Sequence, residues 1–231
     1  MTNAVRCHQL CREFHQGGQT IHGLDHVDFE VTAGEFICLT GPSGSGKTTL
    51  LNAIGGLDRP DSGEIAVGGV SLNELDQGAL ADLRLEHIGF VFQSYNLIPV
   101  LSAQENIEFI LLMQGVDAAE RQRLADDMLR EVGLDGLGSR RPSELSGGQQ
   151  QRVAVARAIV SRPTLVLADE PTANLDSHTA EQLMGLFAQL NQRHGTTFIV
   201  ASHDERVQHF ARRLIRMQDG KIIEDSPLAH N

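Results

Sequence analysis

The sequence predicts an α/β fold in which a phosphate-loop core carries an inserted helical segment. Apolar runs of strand length alternate with helical periodicity towards both ends of the chain. The middle of the chain, at about 102–159, shows helical periodicity over most of its length. A G-x-x-x-x-G-K-T string at 41–48 follows an apolar run and precedes a helical one, which is the strand–loop–helix order of a phosphate loop.

The predicted strands are short apolar runs of two kinds. Val27, Phe29 and Val31 alternate with polar residues, as in a strand with one buried face. The run at 165–168 is continuously apolar, as in a parallel sheet that is covered on both faces. The predicted strands cover 5–10, 24–31, 35–40, 64–67, 87–92, 165–168, 197–200 and a C-terminal hairpin at 214–223 with an Asp-Gly turn.

Helices are predicted where apolar residues recur every three or four positions. They cover 47–54, two helices within 102–132 of which the second begins at about 118, 147–159 and 177–191. A chain of 231 residues is long enough for one domain with a subdomain. We therefore expect a single domain over 1–231, with a core at about 1–93 and 163–231 and a helical subdomain at about 94–162.

Composition narrows the classes of protein to consider. The chain has 19 basic and 30 acidic residues, a net charge of −11, which argues against sequence-independent binding of nucleic acid. The N-terminus lacks the pattern of a secretory signal, and the longest apolar runs have the length of strands. Cys7, Cys11 and Cys38 do not form a metal-ligand set. We expect a soluble protein of the cytoplasm with reduced cysteines.

The glycine string predicts a site for a nucleoside triphosphate. Its glycines allow backbone N–H groups to surround phosphates, Lys47 reaches the β- and γ-phosphate oxygens, and the Thr48 hydroxyl can hold Mg²⁺. The predicted phosphate-binding residues are Gly41, Pro42, Ser43, Gly44, Ser45, Gly46, Lys47, Thr48 and Thr49.

Two acidic residues follow a buried strand later in the chain. Asp169 and Glu170 come directly after the apolar run at 165–168, and ligands of open α/β sheets bind at this end of a strand. Asp169 is suited to the shell of a Mg²⁺ ion. Glu170 can accept a proton from an attacking water or orient that water. An isolated Asp-Glu pair is more often a solvated turn, but a phosphate loop in the same chain favours the catalytic interpretation.

Taken in order, six motifs resemble the nucleotide-binding domains of ABC ATPases. They are the phosphate loop, Gln93 after a strand, Leu-Ser-Gly-Gly-Gln at 145–149, Asp169-Glu170, Asn-Leu-Asp at 174–176 and Ser-His-Asp at 202–204. The resemblance extends from about Val5 to Glu224. It implies an ABC ATPase fold: a core sheet, a helical subdomain and an antiparallel β-subdomain. It also implies ATP and Mg²⁺ as the bound cofactors.

The resemblance further implies individual roles. Phe14 matches the aromatic residue that stacks on adenine, although a packing role beside a strand is the competing interpretation. Gln93 would contact Mg²⁺ and the attacking water, and His203 would bind the γ-phosphate beside the catalytic Glu170. The signature residues Ser146, Gly147, Gly148 and Gln149 would bind the ATP of an opposite protomer. Asp176 would lie at the interface of that head-to-tail homodimer.

The finer motifs are similar to the macrolide-export and lipoprotein-release group (MacB/LolD). The ABC ATPase resemblance implies a membrane permease as partner and a location on the cytoplasmic face of the inner membrane. Because the sequence shows no membrane span, we expect this permease to be supplied in trans. Contact with the permease is expected around 93–101 and the helices after it, although these residues can also pack internally. Two other functions remain in consideration: an ABC ATPase that acts on DNA or ribosomes, and a membrane-tethered regulator, similar to a cell-division ATPase, that transmits force without transport. The sequence does not encode the cargo.

Overall fold

A computed structural model describes residues 3–228, and a six-stranded sheet forms its centre. Its strands are β3 (Phe36–Thr40), β6 (Ile88–Phe92), β7 (Leu165–Asp169), β8 (Thr197–Ala201), β9 (Arg213–Gln218) and β10 (Lys221–Pro227). They lie in the order β10-β9-β3-β8-β7-β6, and all neighbours are parallel except β9 and β10. The β9–β10 hairpin turns at Asp219 and Gly220, both with positive φ, as the Asp-Gly sequence predicts.

A second, antiparallel sheet is formed mainly by the N-terminal part of the chain. Its strands are β1 (Asn3–Gln16), β2 (Gln19–Thr32), β4 (Ser62–Val67) and β5 (Val70–Ser71), in the order β2-β1-β4-β5. Val27, Phe29 and Val31 of β2 are buried, and the residues between them are exposed. The alternation in the sequence therefore marks the face of this sheet that is covered by the core.

Seven α-helices complete the described chain. They are α1 (Lys47–Ile54), α2 (Gln77–His87), α3 (Ala103–Met113), α4 (Ala118–Glu131), α5 (Gly147–Ile159), α6 (Ser177–His194) and α7 (Glu205–Gln208). Helices α3, α4 and α5 pack against one another, and α5 also packs on β6. Within residues 3–228, no helix has the length and apolar character needed to cross a membrane. The domain and subdomain boundaries given above stay predictions.

Strand β3 separates two apolar cores. Phe36 and Cys38 belong to the core that contains α3 to α6, whereas Ile37 and Leu39 belong to the core that contains α1 and the antiparallel sheet. Successive side chains of a strand point to opposite faces, so a fully apolar strand is needed to serve both cores. The phosphate loop follows directly after this strand, and its position is thereby fixed from both sides.

The structure differs from the sequence expectations at several elements: β5 and α7 were not predicted, β2 begins at Gln19 rather than at 24, and α2, β1 and α6 differ for the following reasons. Helix α2 was not predicted, because only Leu80 and Leu83 of its eleven residues are buried and the apolar period is short. Strand β1 continues past the predicted 5–10 to Gln16, since it pairs with β2 through several register shifts that interrupt the alternation. Helix α6 extends to His194 and ends at Gly195, which has φ 68°.

Candidate active site

The phosphate loop opens onto a cleft of about 630 Å³. Residues from the antiparallel sheet, the loop and the carboxyl ends of the central strands converge on it. Its lining consists of Phe14, Ile21, Gly23, Ser43, Gly44, Ser45, Gly46, Lys47, Thr48, Thr49, Gln93, Glu170, Ala173 and His203. Most of the residues predicted for ATP binding and catalysis therefore meet in one place.

Helix α1 differs from the other helices at its N-terminus. Helices α2 to α7 each begin with an Asp or Ser side chain that accepts a hydrogen bond from a first-turn amide. Helix α1 begins instead at Gly46, in a left-handed conformation with φ 104°, and has no side-chain cap. Its first-turn N–H groups stay free to bind an anion, and the helix dipole favours negative charge there.

Two glycines of the loop are required by close backbone contacts. A Cβ on Gly41 would lie 2.2 Å from the carbonyl oxygen of Met217, and a Cβ on Gly46 would lie 2.3 Å from that of Gly23. The amide of Gly220 also donates to the carbonyl oxygen of Ser45 at 3.0 Å. The loop is thus held against the β9–β10 turn and against β2, which gives it a defined shape.

The side chain of Lys47 folds back over the start of the phosphate loop. Its side chain is buried, and Nζ donates to the carbonyl oxygens of Gly41 at 2.8 Å and Pro42 at 3.1 Å. These bonds hold the ammonium group in the lining of the cleft, beside the free amides of α1. The group is therefore placed to offset the charge of a bound phosphate.

Thr48 and Asp169 form a set of oxygen atoms suited to a hard divalent cation. The Thr48 hydroxyl donates to Oδ2 of Asp169 at 2.8 Å, while Oδ1 of Asp169 is buried and has no hydrogen-bond partner among the described residues. Burial is the main cause that raises the pKa of Asp169, and the nearby charge of Glu170 adds to it. An unpartnered carboxylate oxygen beside a hydroxyl fits Mg²⁺, which takes oxygen ligands and would compensate for the burial of the charge.

Glu170 is fixed in position by its own backbone and by two neighbours. It has a positive φ of 48°, and its amide donates to the carbonyl oxygen of Ala201 at 2.8 Å. The Nδ1 atom of His203 donates to Oε1 of Glu170 at 3.0 Å, and the Ser202 hydroxyl donates to Oε2 at 3.4 Å. The carboxylate therefore faces the cleft with a defined orientation, as a general base requires.

Phe14 lies at the end of the cleft formed by the antiparallel sheet. Its side chain is 40% exposed, and β1 pairs it with Ile21 of β2. A Cβ on Gly23 would lie 2.5 Å from Cε2 of Phe14, so the glycine makes room for the ring. Sequence analysis did not identify Ile21, Gly23 or Ala173 as part of the site. Gly23 lies inside β2, where a glycine often marks a close approach of another group, but the predicted strand began only at 24.

The signature residues lie outside this cleft. Ser146 caps helix α5 by accepting from the amide of Gln149 at 3.3 Å, and the Gln149 side chain accepts in return from the Ser146 amide at 2.9 Å. A Cβ on Gly148 would lie 2.5 Å from Cγ2 of Thr179. Asp176 caps helix α6 through two bonds to Thr179, which hold the pKa of Asp176 below its ordinary value. These residues are absent from the lining of the chain's own cleft.

The fold and the cleft together define a phosphate-loop nucleoside triphosphatase. A family model described as ABC transporter matches residues 24–173. The lipoprotein-releasing system ATP-binding protein LolD of Chromohalobacter salexigens is 43% identical over 222 residues, which cover 96% of this chain and 94% of the relative. The macrolide export ATP-binding/permease protein MacB of Mannheimia succiniciproducens is 42% identical over 97% of this chain, which spans only 35% of that relative.

A solved structure resembles the whole described fold. It is a dimeric, post-hydrolysis state of the ATP-binding cassette MJ0796 bound to ADP and Pi, with a TM-score of 0.90 and 40% identity. The similarity covers 98% of this chain and 100% of that one. The chain therefore belongs to the ABC transporter family, and as an ABC ATPase it couples ATP hydrolysis to transport.

Lys47→Ala is expected to reduce ATP affinity by at least about tenfold, because it removes the cation from a site otherwise built from backbone donors. Isothermal titration calorimetry measures the change. The chain's other lysine provides the control: Lys221 pairs with Asp25 on the surface, and Lys221→Ala should bind ATP like the wild type. Equal affinity in Lys47→Ala and wild type would contradict the phosphate site.

Glu170→Gln is expected to retain ATP binding and to lower turnover by about 10²- to 10⁴-fold, since the amide keeps the shape but cannot accept the proton. A coupled phosphate-release assay measures turnover, and calorimetry measures binding. Asp169→Asn is the contrasting variant. Because Asp169 is placed to hold Mg²⁺, its loss should reduce the amount by which Mg²⁺ increases ATP affinity. Wild-type turnover in Glu170→Gln would show that another group acts as the base.

Proposed function

We propose that two copies of this chain sandwich two ATP molecules and drive a separate membrane permease. The observation that carries this proposal is the separation of the signature residues from the cleft of their own chain. The phosphate loop and the N-terminus of helix α5 lie on different surfaces of the chain. Both can contact one nucleotide only if they come from two different protomers. The dimeric state of the similar cassette MJ0796 supports the same arrangement.

The start of helix α5 has the chemistry to bind the γ-phosphate of the opposite nucleotide. Ser146 caps only the amide of Gln149, and the amides of Gly147 and Gly148 have no intrahelical acceptor, because the first intrahelical bond runs from the Gln150 amide to the carbonyl oxygen of Ser146. These N–H groups and the positive end of the helix dipole favour an anion. Asp176 would complete the interface from the start of α6, close to Gly148 through Thr179.

We assign the remaining roles as follows. Phe14 stacks on adenine, and Gly41 to Thr49 bind the phosphates. Thr48, Asp169 and Gln93 would hold Mg²⁺, which would supply positive charge to offset that of the phosphates. Glu170 accepts the proton of the attacking water. His203 uses Nδ1 to hold Glu170, and Nε2, on the other side of the ring, would donate to the γ-phosphate when both ring nitrogens carry a proton.

The segment after β6 connects the nucleotide to the helical part of the chain. Asn174 donates to the carbonyl oxygen of Gln93 at 3.0 Å. Arg157 of helix α5 donates to the carbonyl oxygens of Tyr95 at 3.0 Å and Asn96 at 2.6 Å, two residues with positive φ. A displacement of Gln93 would therefore be transmitted to the helix that carries the signature.

The permease is proposed to dock beside this segment. Leu97 packs against the helical core, so this part of the predicted docking region is internal. Val100, by contrast, is 70% exposed, and Leu112 and Met113 at the end of α3 are also exposed. Val100 lies just before α3 and Leu112 and Met113 lie at its opposite end, so exposed apolar residues at both ends of this helix favour contact with a cytoplasmic segment of a membrane protein.

The names of two relatives support a proposal for the kind of transport. One is named for lipoprotein release and the other for macrolide export, and the second carries its permease on the same, longer chain. We propose export or lipoprotein extraction with a permease supplied in trans, at the cytoplasmic face of the membrane. A relative that carries a permease favours transport over force transmission without cargo. An acidic chain disfavours action on nucleic acid.

Ser146→Arg is expected to retain ATP binding and to abolish hydrolysis, because a large side chain at the start of α5 blocks the opposing phosphate. Lys47→Ala fails at the other half of the site. Mixing the two variants should restore activity to a fraction of wild type, since a mixed dimer contains one site with both halves intact. Phosphate release from titrated mixtures measures this. Absence of recovery, with mixed dimers shown by native mass spectrometry, would contradict the composite site.

Val100→Asp is expected to keep the ATPase activity of the isolated subunit and to reduce co-purification of an integral membrane protein, because a charge is placed in the apolar docking surface. Val70 offers a matched control, being 43% exposed on the antiparallel sheet. Quantitative mass spectrometry of tagged subunits extracted from membranes compares the two variants. Equal losses for Val100→Asp and Val70→Asp would refute docking at this surface.

A further inference from the structure

An arginine lies over the ring of Phe14. The Cζ atom of Arg12 is 5.2 Å from the ring centroid, within the range of a cation–π interaction. Phe14 lines the cleft, whereas Arg12 is not among the residues that line it. The guanidinium therefore contacts the ring without itself being part of the cleft lining.

Two aspartates hold this arginine in place. Nη1 of Arg12 donates to Oδ1 of Asp61 at 2.7 Å, and Nη2 donates to Oδ1 of Asp58 at 3.1 Å. Nε has no hydrogen-bond partner within the described part of the chain. The guanidinium is thus fixed by its two terminal nitrogens, in a plane that does not depend on Phe14 itself.

Asp61 also fixes the backbone that carries Phe14. Its Oδ2 accepts from the amide of Glu13 at 2.7 Å, and its own amide donates to the carbonyl oxygen of Cys11 at 2.8 Å. The bond from the Glu13 amide, followed by that from Arg12, holds the pKa of Asp61 below its ordinary value, so the carboxylate is ionised at neutral pH. Strand β1 is therefore clamped immediately before Phe14.

The clamp belongs to the turn that follows helix α1. Helix α1 begins at Lys47 in the phosphate loop and ends at Ile54, and Asp58 and Asp61 follow it. Helix α1 thus provides the phosphate-binding amides at its N-terminus, and the turn after its C-terminus holds the arginine that contacts the Phe14 ring. This helix and turn are therefore one link between the phosphate site and the ring, and Gly23 of β2, which contacts both the loop and the ring, is a second.

We propose that Arg12 is a positioning residue for the nucleobase: with Asp58 and Asp61 it fixes the Phe14 ring at a set distance from the phosphate loop. This proposal rests on the proposed stacking of Phe14 on adenine. A Phe14 ring that is already held by the guanidinium loses less conformational freedom when a nucleobase binds than a mobile ring would. The cation also polarises the ring. Arg12 would therefore improve the binding of the base and leave the binding of phosphates unaffected.

The test compares ATP with tripolyphosphate, which has the phosphates and no base. Arg12→Ala is expected to weaken ATP binding by about three- to tenfold and to leave tripolyphosphate binding unchanged. Arg12→Lys, which keeps a cation but cannot bridge two aspartates, should give an intermediate loss. Arg6→Ala is the matched control, because Arg6 lies on the same strand and pairs with Glu30 on the surface. Calorimetry in the presence of Mg²⁺ measures each affinity.

Phe14→Ala separates this proposal from the one on which it rests. Phe14→Ala should weaken ATP binding, and adding Arg12→Ala to it should cause no further loss, because the arginine acts through the ring. If Phe14→Ala binds ATP like the wild type, the stacking role is wrong. If Phe14→Ala loses affinity and Arg12→Ala does not, the positioning role alone is overturned. Equal losses of ATP and tripolyphosphate in Arg12→Ala would likewise overturn it.

Arg12 also joins two elements of the fold, so a milder variant keeps the test informative if Arg12→Ala unfolds. Asp58 accepts its only side-chain bond within residues 3–228 from Arg12. Asp58→Ala therefore loosens the guanidinium and leaves the bond from the Glu13 amide to Asp61 in place. We expect a loss of about twofold in ATP affinity, with unchanged tripolyphosphate affinity and a circular dichroism spectrum like that of the wild type. Unchanged affinity for ATP in this variant would contradict the proposal.

Discussion

The free N-terminus of helix α1 is the constraint on which the arrangement of the site depends. Every other α-helix of the described chain closes its first turn with an Asp or Ser side chain, and α1 leaves its first turn open at Gly46. Uncapped amides cost stability unless something else binds them. The surrounding structure supports the loop through the bond from Gly220 to Ser45 and through the Lys47 ammonium. Phosphate binding is thus built into the backbone before any side chain acts.

The carboxyl ends of the strands around this helix place the proposed metal ligand and the proposed general base next to the phosphate loop. Strand β7 delivers Asp169 to the Thr48 hydroxyl, and the next residue, Glu170, turns away with a positive φ towards His203. A non-glycine residue in this conformation is strained, and here the bond from its amide to Ala201 of β8 holds it. This backbone conformation places the two adjacent carboxylates in different environments. Asp169 is partly buried beside the loop, and Glu170 faces the cleft.

Much of this arrangement could be predicted, because its signals are local in the sequence. The apolar strand before the loop, the glycine string, the acidic strand end and the Asp-Gly hairpin each depend on a few consecutive residues. Helix α2 could not be predicted, because it buries only Leu80 and Leu83. Ile21 and Gly23 were missed because their place in the cleft depends on pairing with β1 across the hairpin. A contact between two paired strands produces no periodic pattern and no motif that can be recognised in a single sequence.

Helix α5 shows why residues far from the cleft matter to it. Gln151, fully buried on this helix, donates to the carbonyl oxygens of Pro171 at 2.9 Å and Phe92 at 3.4 Å. One helix therefore holds the residue after Glu170 and the residue before Gln93, while Arg157 holds the backbone just beyond. Burial lowers the pKa of Arg157, and among residues 3–228 no carboxylate pairs with it. Arg157 is partly buried and donates to the carbonyl oxygens of Tyr95 and Asn96, so the conformation of 95–96 is tied to the position of α5.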